Sequence, residues 1–246
     1  VPAGTALTAY TGPSTISTPN TVISGKTMGC IRVTAPGVVI RNSKLSCAGL
    51  VVTSADGDYS GTPLLLEDSE IDCKNAGGTA IGDANVTARR LNIHHCENGF
   101  DMNQNITVEH SYIHDMYNGG SAHTDGIQLA SGHFENGQLV RGSLNITIRH
   151  NTIYGMGADG SFGTSAIISN SGGDTNILIE NNLMAGGAYT LYCEQGTKGT
   201  NYRVINNRFS RKFGPKVGFY GPSTQCSDET QSGNVYHETG QPTNLP

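Results

Sequence analysis

The 246-residue sequence predicts an all-β fold, a single-domain right-handed parallel β-helix (solenoid), and three observations carry that expectation. Composition is the first: 33 glycines, no tryptophan and only 14% charged residues suit many short strands and turns rather than amphipathic helices. The second is an irregular internal repeat, in which a short β-branched strand is followed by one or two polar residues, one apolar residue and a Gly-rich turn. The third is an absence. No amphipathic segment of about ten or more residues separates the strands, as a β/α barrel or a doubly wound fold requires.

The elements follow from stacking the repeat. Val38, Leu64, Val86, Ile106 and Ile146 begin successive strands, and Ile40, Leu66, Ala88, Val108, Ile148, Leu178 and Val204 follow two positions later, the period of a strand with one buried face. A second apolar column, five residues on, runs through Leu45, Ile71, Ile93, Ile113, Ile153, Leu183 and Phe209. Just before it, Asn151, Asn181 and Asn207 occupy equivalent places, where an inward asparagine at a bend bonds the backbone of neighbouring coils as a ladder. A third strand passes through Ile81, Phe100, Ile127, Ile167, Leu191 and Phe219. The reading assigns residues 1–36 to an N-terminal cap, 37–222 to coils and 223–246 to a C-terminal tail. Asn85-Val86-Thr87, Asn105-Ile106-Thr107 and Asn145-Ile146-Thr147 match a glycosylation acceptor, but each also opens a repeat strand, and the repeat explains them better.

Six cysteines, none in a CxxC pair, and no apolar run of about 18 residues argue for disulfides in an oxidising compartment and against a membrane span or a zinc ribbon. Cys47, Cys73 and Cys96 fall at one place in successive coils, so Cys73–Cys96 is the preferred pair, with Cys30–Cys47 and Cys193–Cys226 completing the set. Spacing alone leaves other connectivities open. The opening Val1-Pro2-Ala3-Gly4 lacks a charged n-region and an apolar core, so secretion with prior removal of a signal peptide is expected. A net charge of −5 gives no general attraction to nucleic acid, and a monomer is expected.

In a solenoid, a site appears as unlike polar residues adjacent in the stack rather than in the chain. Aligning Asn98-Gly99-Phe100-Asp101 on Asp125-Gly126-Ile127-Gln128 sets Asp101 over Gln128 and Asn98 near Asp125, with Ile168, Tyr192 and Tyr220 extending the outward column. His94 and His114 share a column, and His123, His133 and Tyr154 are expected nearby. Four histidines between His110 and His133, beside two aspartates, form the densest titratable cluster. They lack the helical i, i+4 spacing of common zinc hydrolases, so no metal ligand is assigned. Calcium needs several converging oxygens, which Asp101, Asp115 and Asp125 do not reveal in sequence; no cofactor is expected, with calcium kept open. Arg211, Lys212 and Lys216 form a basic group that stacking sets near Tyr189, Tyr192 and Tyr220, where tyrosine faces suit sugar rings and a cation suits a uronate carboxylate.

On these residues the chain resembles secreted parallel β-helix carbohydrate-active proteins, especially polysaccharide lyases and mannuronan C5-epimerases. Asn98-Gly99-Phe100-Asp101-Met102-Asn103 is similar to the epimerase motif Tyr-Gly-Phe-Asp-Pro-His, and Asp125-Gly126-Ile127 to its later Asp-Gly-Phe. Asn98 and Asn103 replace the family's tyrosine and histidine, which counts against epimerisation. His123-Thr124-Asp125-Gly126 is also similar to the Asn-Thr-Asp-Gly of polygalacturonases, but Ser165-Ala166-Ile167-Ile168 stands where that family needs paired aspartates. The resemblance therefore implies a lyase cutting an acidic, alginate-like uronan by β-elimination. C5-epimerisation, inverting hydrolysis of the same kind of polymer and a non-catalytic carbohydrate-binding or adhesion role are the alternatives. The expected catalytic residues are Asp101, His123, Asp125, Tyr192 and Lys216, and the expected substrate contacts are Asn103, His114, Gln128, His133, Tyr189 and Tyr220.

Overall fold

Strands stacked in parallel register build three faces around one apolar interior in the computed structural model, which describes residues 1–47, 52–54, 61–129, 133–135, 138–170, 172–193 and 198–246. The chain is an all-β parallel β-helix. Face A is a nine-stranded sheet from Val22–Ser24 to Thr230–Ser232. Faces B and C merge into one 17-stranded sheet, because Glu70–Gly82 and Asn92–Asp101 run unbroken round the corner between them. Face B continues through Tyr112–His114, Thr152–Gly155 and Leu183–Gly186, and face C through Asp125–Leu129, Ser165–Ser169 and Tyr189–Tyr192. Along every strand alternate residues point inward, so β-branched and aliphatic side chains fill the centre while the others form straight outward rows.

Each corner from face A to face B is made by one left-handed residue followed by one inward residue, which is polar except at Leu91. Asp68, Arg90, His110, His150, Asn181 and Asn206 take the first place at φ between 50° and 57°, and the polar place passes from Ser43, Ser69 and Ser111 to Asn151, Asn182, Asn207 and Asn234. Each of the last three asparagines accepts the backbone N–H of the coil before through Oδ1, while its Nδ2 donates to the carbonyl of Ile148, Ile179 or Val204. A second ladder of left-handed asparagines, Asn85, Asn105, Asn145, Asn176 and Asn201, runs outside face A, linked amide to amide at 2.8–3.0 Å. The three glycosylation-like tripeptides begin at rungs of this ladder.

The ladder differs from the sequence reading in one coil. Asn182, not Asn181, is the inward rung; Ile179 and Met184, not Leu178 and Leu183, fill the interior columns. A one-residue slip exchanges the two faces of a strand, and the pair Asn181-Asn182 hides the register because either residue suits a corner. Likewise Ser223, not Phe219, continues the column after Leu191, and Phe219 is 57% exposed. The cap and tail also differ: Thr8–Ala9 and Val22–Ser24 already pair with later coils, and Thr230–Ser232 and Val235–Tyr236 add one more coil at the far end. Beyond it the chain reverses. Val235 bridges Pro242 antiparallel, the Thr243 N–H donates to the Asn234 carbonyl at 2.9 Å, the Cys226 N–H donates to the Pro246 carbonyl at 2.8 Å, and Leu245 is buried. The disulfides are Cys30–Cys47, Cys73–Cys96 and Cys193–Cys226, as the stacking favours.

Candidate active site

Face C carries the polar stack. Asn98 pairs in register with Asp125 and Asp125 with Ser165, while Asp101 lies over Gln128, followed by Ile168, Tyr192 and Thr224. This outward row of five residues spans about 19 Å at the usual inter-strand spacing. Close approach of the coils makes the glycines of the repeat obligatory here: a Cβ on Gly126 would lie 2.6 Å from the Ala166 carbonyl oxygen.

At the start of the strand that carries Gln128, His123 Nδ1 lies 2.8 Å from Asp125 Oδ2, and Ser165 Oγ donates to Asp125 Oδ1 at 2.5 Å. Asp125 is fully buried, whereas the His123 side chain is 53% exposed. A carboxylate only accepts, so Nδ1 carries the hydrogen and Nε2 faces solvent with its lone pair. The hydrogen bond to Asp125 pushes the His123 pKa up, and burial pushes the Asp125 carboxyl up against the bonds from His123 and Ser165. The loop is held as well: the His123 N–H donates to Glu97 Oε1 at 2.9 Å, and Thr124 Oγ1 donates to the Tyr117 carbonyl.

Asn98 joins this dyad to the rest of the row. Its Oδ1 accepts the Asp125 N–H, and its Nδ2 donates to Gln128 Oε1 at 2.8 Å and to Asp101 Oδ1 at 3.2 Å. Because Gln128 accepts through Oε1, its Nε2 is directed away from the network as a donor. Asp101 also accepts from Thr79 Oγ1 at 2.5 Å, yet burial outweighs these bonds and raises its pKa. Burial likewise raises the Tyr192 pKa, with a contribution from the Asp125 charge.

The remaining expected residues divide between several places. Tyr189 packs edge-on against Tyr192 at 5.4 Å between ring centres and lies 5.6 Å from Tyr220. Tyr220 itself is 60% exposed in the connection before Gly221–Thr224 and is not a member of the Asp101–Thr224 row. Lys216 lies in the same connection and lines a cavity of about 440 Å³ with Phe162, Phe213, Phe219 and Tyr220; among the described residues it forms no ion pair. Asn103 stands at the next corner, 3.3 Å from Arg141 Nη1. The His133 side chain lies outside the described residues. His114 belongs to face B: both its ring nitrogens are engaged, with Asp115 at 2.7 Å and Asn92 at 2.8 Å, and its ring stacks on Tyr112. Asp115 is thus on a different face from Asp101 and Asp125, so these three carboxylates do not converge.

No protein-family model and no curated protein matches the sequence. Among solved structures, the chain is similar to one described as QnrB1, a plasmid-mediated fluoroquinolone resistance protein, at a TM-score of 0.23 and 6% identity, covering 88% of this chain and 84% of that one. A likeness that weak says nothing about the site, whose chemistry rests on its own geometry.

Sequence reasoning did not assign roles to Thr79, Glu97, Asn98 and Ser165, which orient the charged groups. Their signal was available in the stacking: Ser165 occupies the same place one coil after Asp125, and Asn98 the same place one coil before it.

Proposed function

We propose that the protein is a secreted lyase that cuts a uronate-containing, alginate-like polysaccharide within the chain by β-elimination on face C. The observation that carries this reading is the exposed His123 imidazole held by a fully buried Asp125. Such a pair presents a base of fixed tautomer whose protonated form is stabilised by the carboxylate behind it. Three disulfides fit an oxidising compartment, and an outward row open at both ends suits a polymer better than a small molecule.

In this reading His123 Nε2 removes the C5 proton. The electron pair forms the C4–C5 double bond, the C4–O bond breaks, and the Tyr192 hydroxyl protonates the departing oxygen. Gln128 Nε2, joined by Asp101 when its carboxyl is protonated, holds the uronate carboxylate and stabilises charge that develops there. Lys216 and the aromatic faces of Tyr220 and Phe219 contact a neighbouring sugar.

The test is incubation with alginate, pectate and glucuronan, read by ultraviolet absorbance of the unsaturated product. Reducing ends without that chromophore establish hydrolysis instead; exchange of the C5 proton with deuterium, without cleavage, establishes epimerisation. Retention of polymer with no product establishes a binding module.

A further inference from the structure

Face B holds a second cluster that the proposed elimination does not use. Asp72 and His94 lie side by side in register on adjacent coils, and His95 follows in a left-handed conformation at φ 58° that turns its ring toward them. His95 Nδ1 is 2.9 Å from His94 Nδ1 and 3.1 Å from Asp72 Oδ1, and His94 Nδ1 is 3.9 Å from Asp72 Oδ1. An ion bound tetrahedrally at about 2.0–2.1 Å separates its ligands by about 3.3 Å, so a point about 2 Å from all three atoms exists. Among the described residues this is the only such convergence of three.

The surroundings complete the pattern expected behind metal ligands. Glu70 Oε1, itself bound by Lys44 at 2.6 Å, lies 3.3 Å from His94 Nε2; it accepts that N–H and leaves the Nδ1 lone pair facing the cluster. The Lys74 N–H donates to Asp72 Oδ1 at 3.0 Å and Lys74 Nζ lies 2.9 Å from Oδ2, which fixes the carboxylate while leaving one lone pair of Oδ1 to the centre. Cys73 and Cys96, next in sequence to Asp72 and His95, are joined by a disulfide that clamps the two ligand-bearing segments together. His95 is the most exposed of the three side chains, so the open side of the cluster faces solvent.

We infer that Asp72, His94 and His95 bind one divalent first-row transition ion of the zinc type, with a fourth position open to water. Two imidazoles and one carboxylate suit such an ion and do not suit calcium, which takes oxygen ligands.

Dialysed, disulfide-intact protein titrated with Co²⁺ should take up one equivalent, with the visible absorption of a tetrahedral ion. Zn²⁺ should displace it and Ca²⁺ should not. His94→Ala should weaken binding by at least about 100-fold, and Glu70→Gln by about 10–100-fold, the usual range for a residue behind a metal ligand. His95→Asn, in a residue that tolerates the left-handed backbone, should abolish binding while circular dichroism stays unchanged, which separates loss of a ligand from loss of the fold. Absence of stoichiometric uptake, equal displacement by Ca²⁺, or unchanged affinity in both His94→Ala and His95→Asn overturns the inference.

Discussion

His123 on face C and His94 on face B each face a carboxylate, yet their environments push them in opposite directions. His123 meets one carboxylate at 2.8 Å with its ring half in solvent, and its pKa rises. His94 is half-buried, and that desolvation together with the neighbouring His95 lowers its pKa in spite of Glu70 and Asp72. Burial pushes Asp72 up, but the bonds from Lys74 and His95 outweigh it and hold the carboxyl well below the ordinary range. The lesson is that a histidine–carboxylate contact has no fixed meaning: exposure of the ring and the sign of the next charge decide whether it makes a base or a neutral ligand.

The largest test of the contrast is on turnover. His123→Ala should lower kcat on the responsive uronan by about 10²–10⁴-fold with the folded circular dichroism spectrum retained, the scale of a lost acid–base group. A loss confined to KM would make His123 a binding residue. On the other face, the double change Cys73→Ala and Cys96→Ala should cost about 2–4 kcal/mol in urea denaturation, and a cost near zero would mean that the ladder alone holds the ligand-bearing segments.

Both faces hang on the interior ladder, so Asn182→Ala should cost about 1–3 kcal/mol, because it strands the Asn151 N–H and the Ile148 carbonyl in the core. Asn145→Ala, on the exposed ladder, should cost less than Asn182→Ala. Equal losses would show that burial is not what gives the inner rungs their value.

The smallest effects are in pH. The folded pKa of His123 is raised, so its contribution to stability is full below the unfolded value of 6.5 and is lost as pH rises through the folded pKa. For His94 the folded pKa is lowered, so stability falls as pH drops from 6.5 through the folded value. Denaturation between about pH 5 and about pH 8 should therefore show His123→Ala and His94→Ala changing the slope with opposite signs. In turnover, Asp125→Asn removes the negative charge that raises His123, so the acid limb of kcat should move to lower pH; a limb that stays in place would assign it to another group.

The coil architecture was legible because the apolar columns repeat strictly: Ile71, Ile93, Ile113 and Ile153 are all fully buried. So was the stack of Asp101 on Gln128, which needs only the Gly-apolar core of each strand as a guide. Register failed where two residues suited one corner, at Asn181-Asn182, and where a long connection before face C carried apolar residues that mimic a strand, as Phe219 does. The separation of His114 from His123 was not legible, because both lie within one coil and only the bend of the intervening residues 115–124 sends them to different faces. The cluster at Asp72, His94 and His95 was hidden for a related reason: it depends on the left-handed turn of His95, which a strand pattern does not announce.

The reversed segment 241–246 has a consequence for the molecule as a material. A stack of parallel coils ends in a row of backbone donors and acceptors aimed along the axis, the same groups by which a second copy could continue the stack. Here they meet a strip that runs the opposite way, contains Pro242 and Pro246, and therefore offers an incomplete set of N–H groups to the next layer. At this layer the strip replaces the parallel repeat of the coils with an antiparallel edge, so the pattern that carries one coil onto the next is interrupted there.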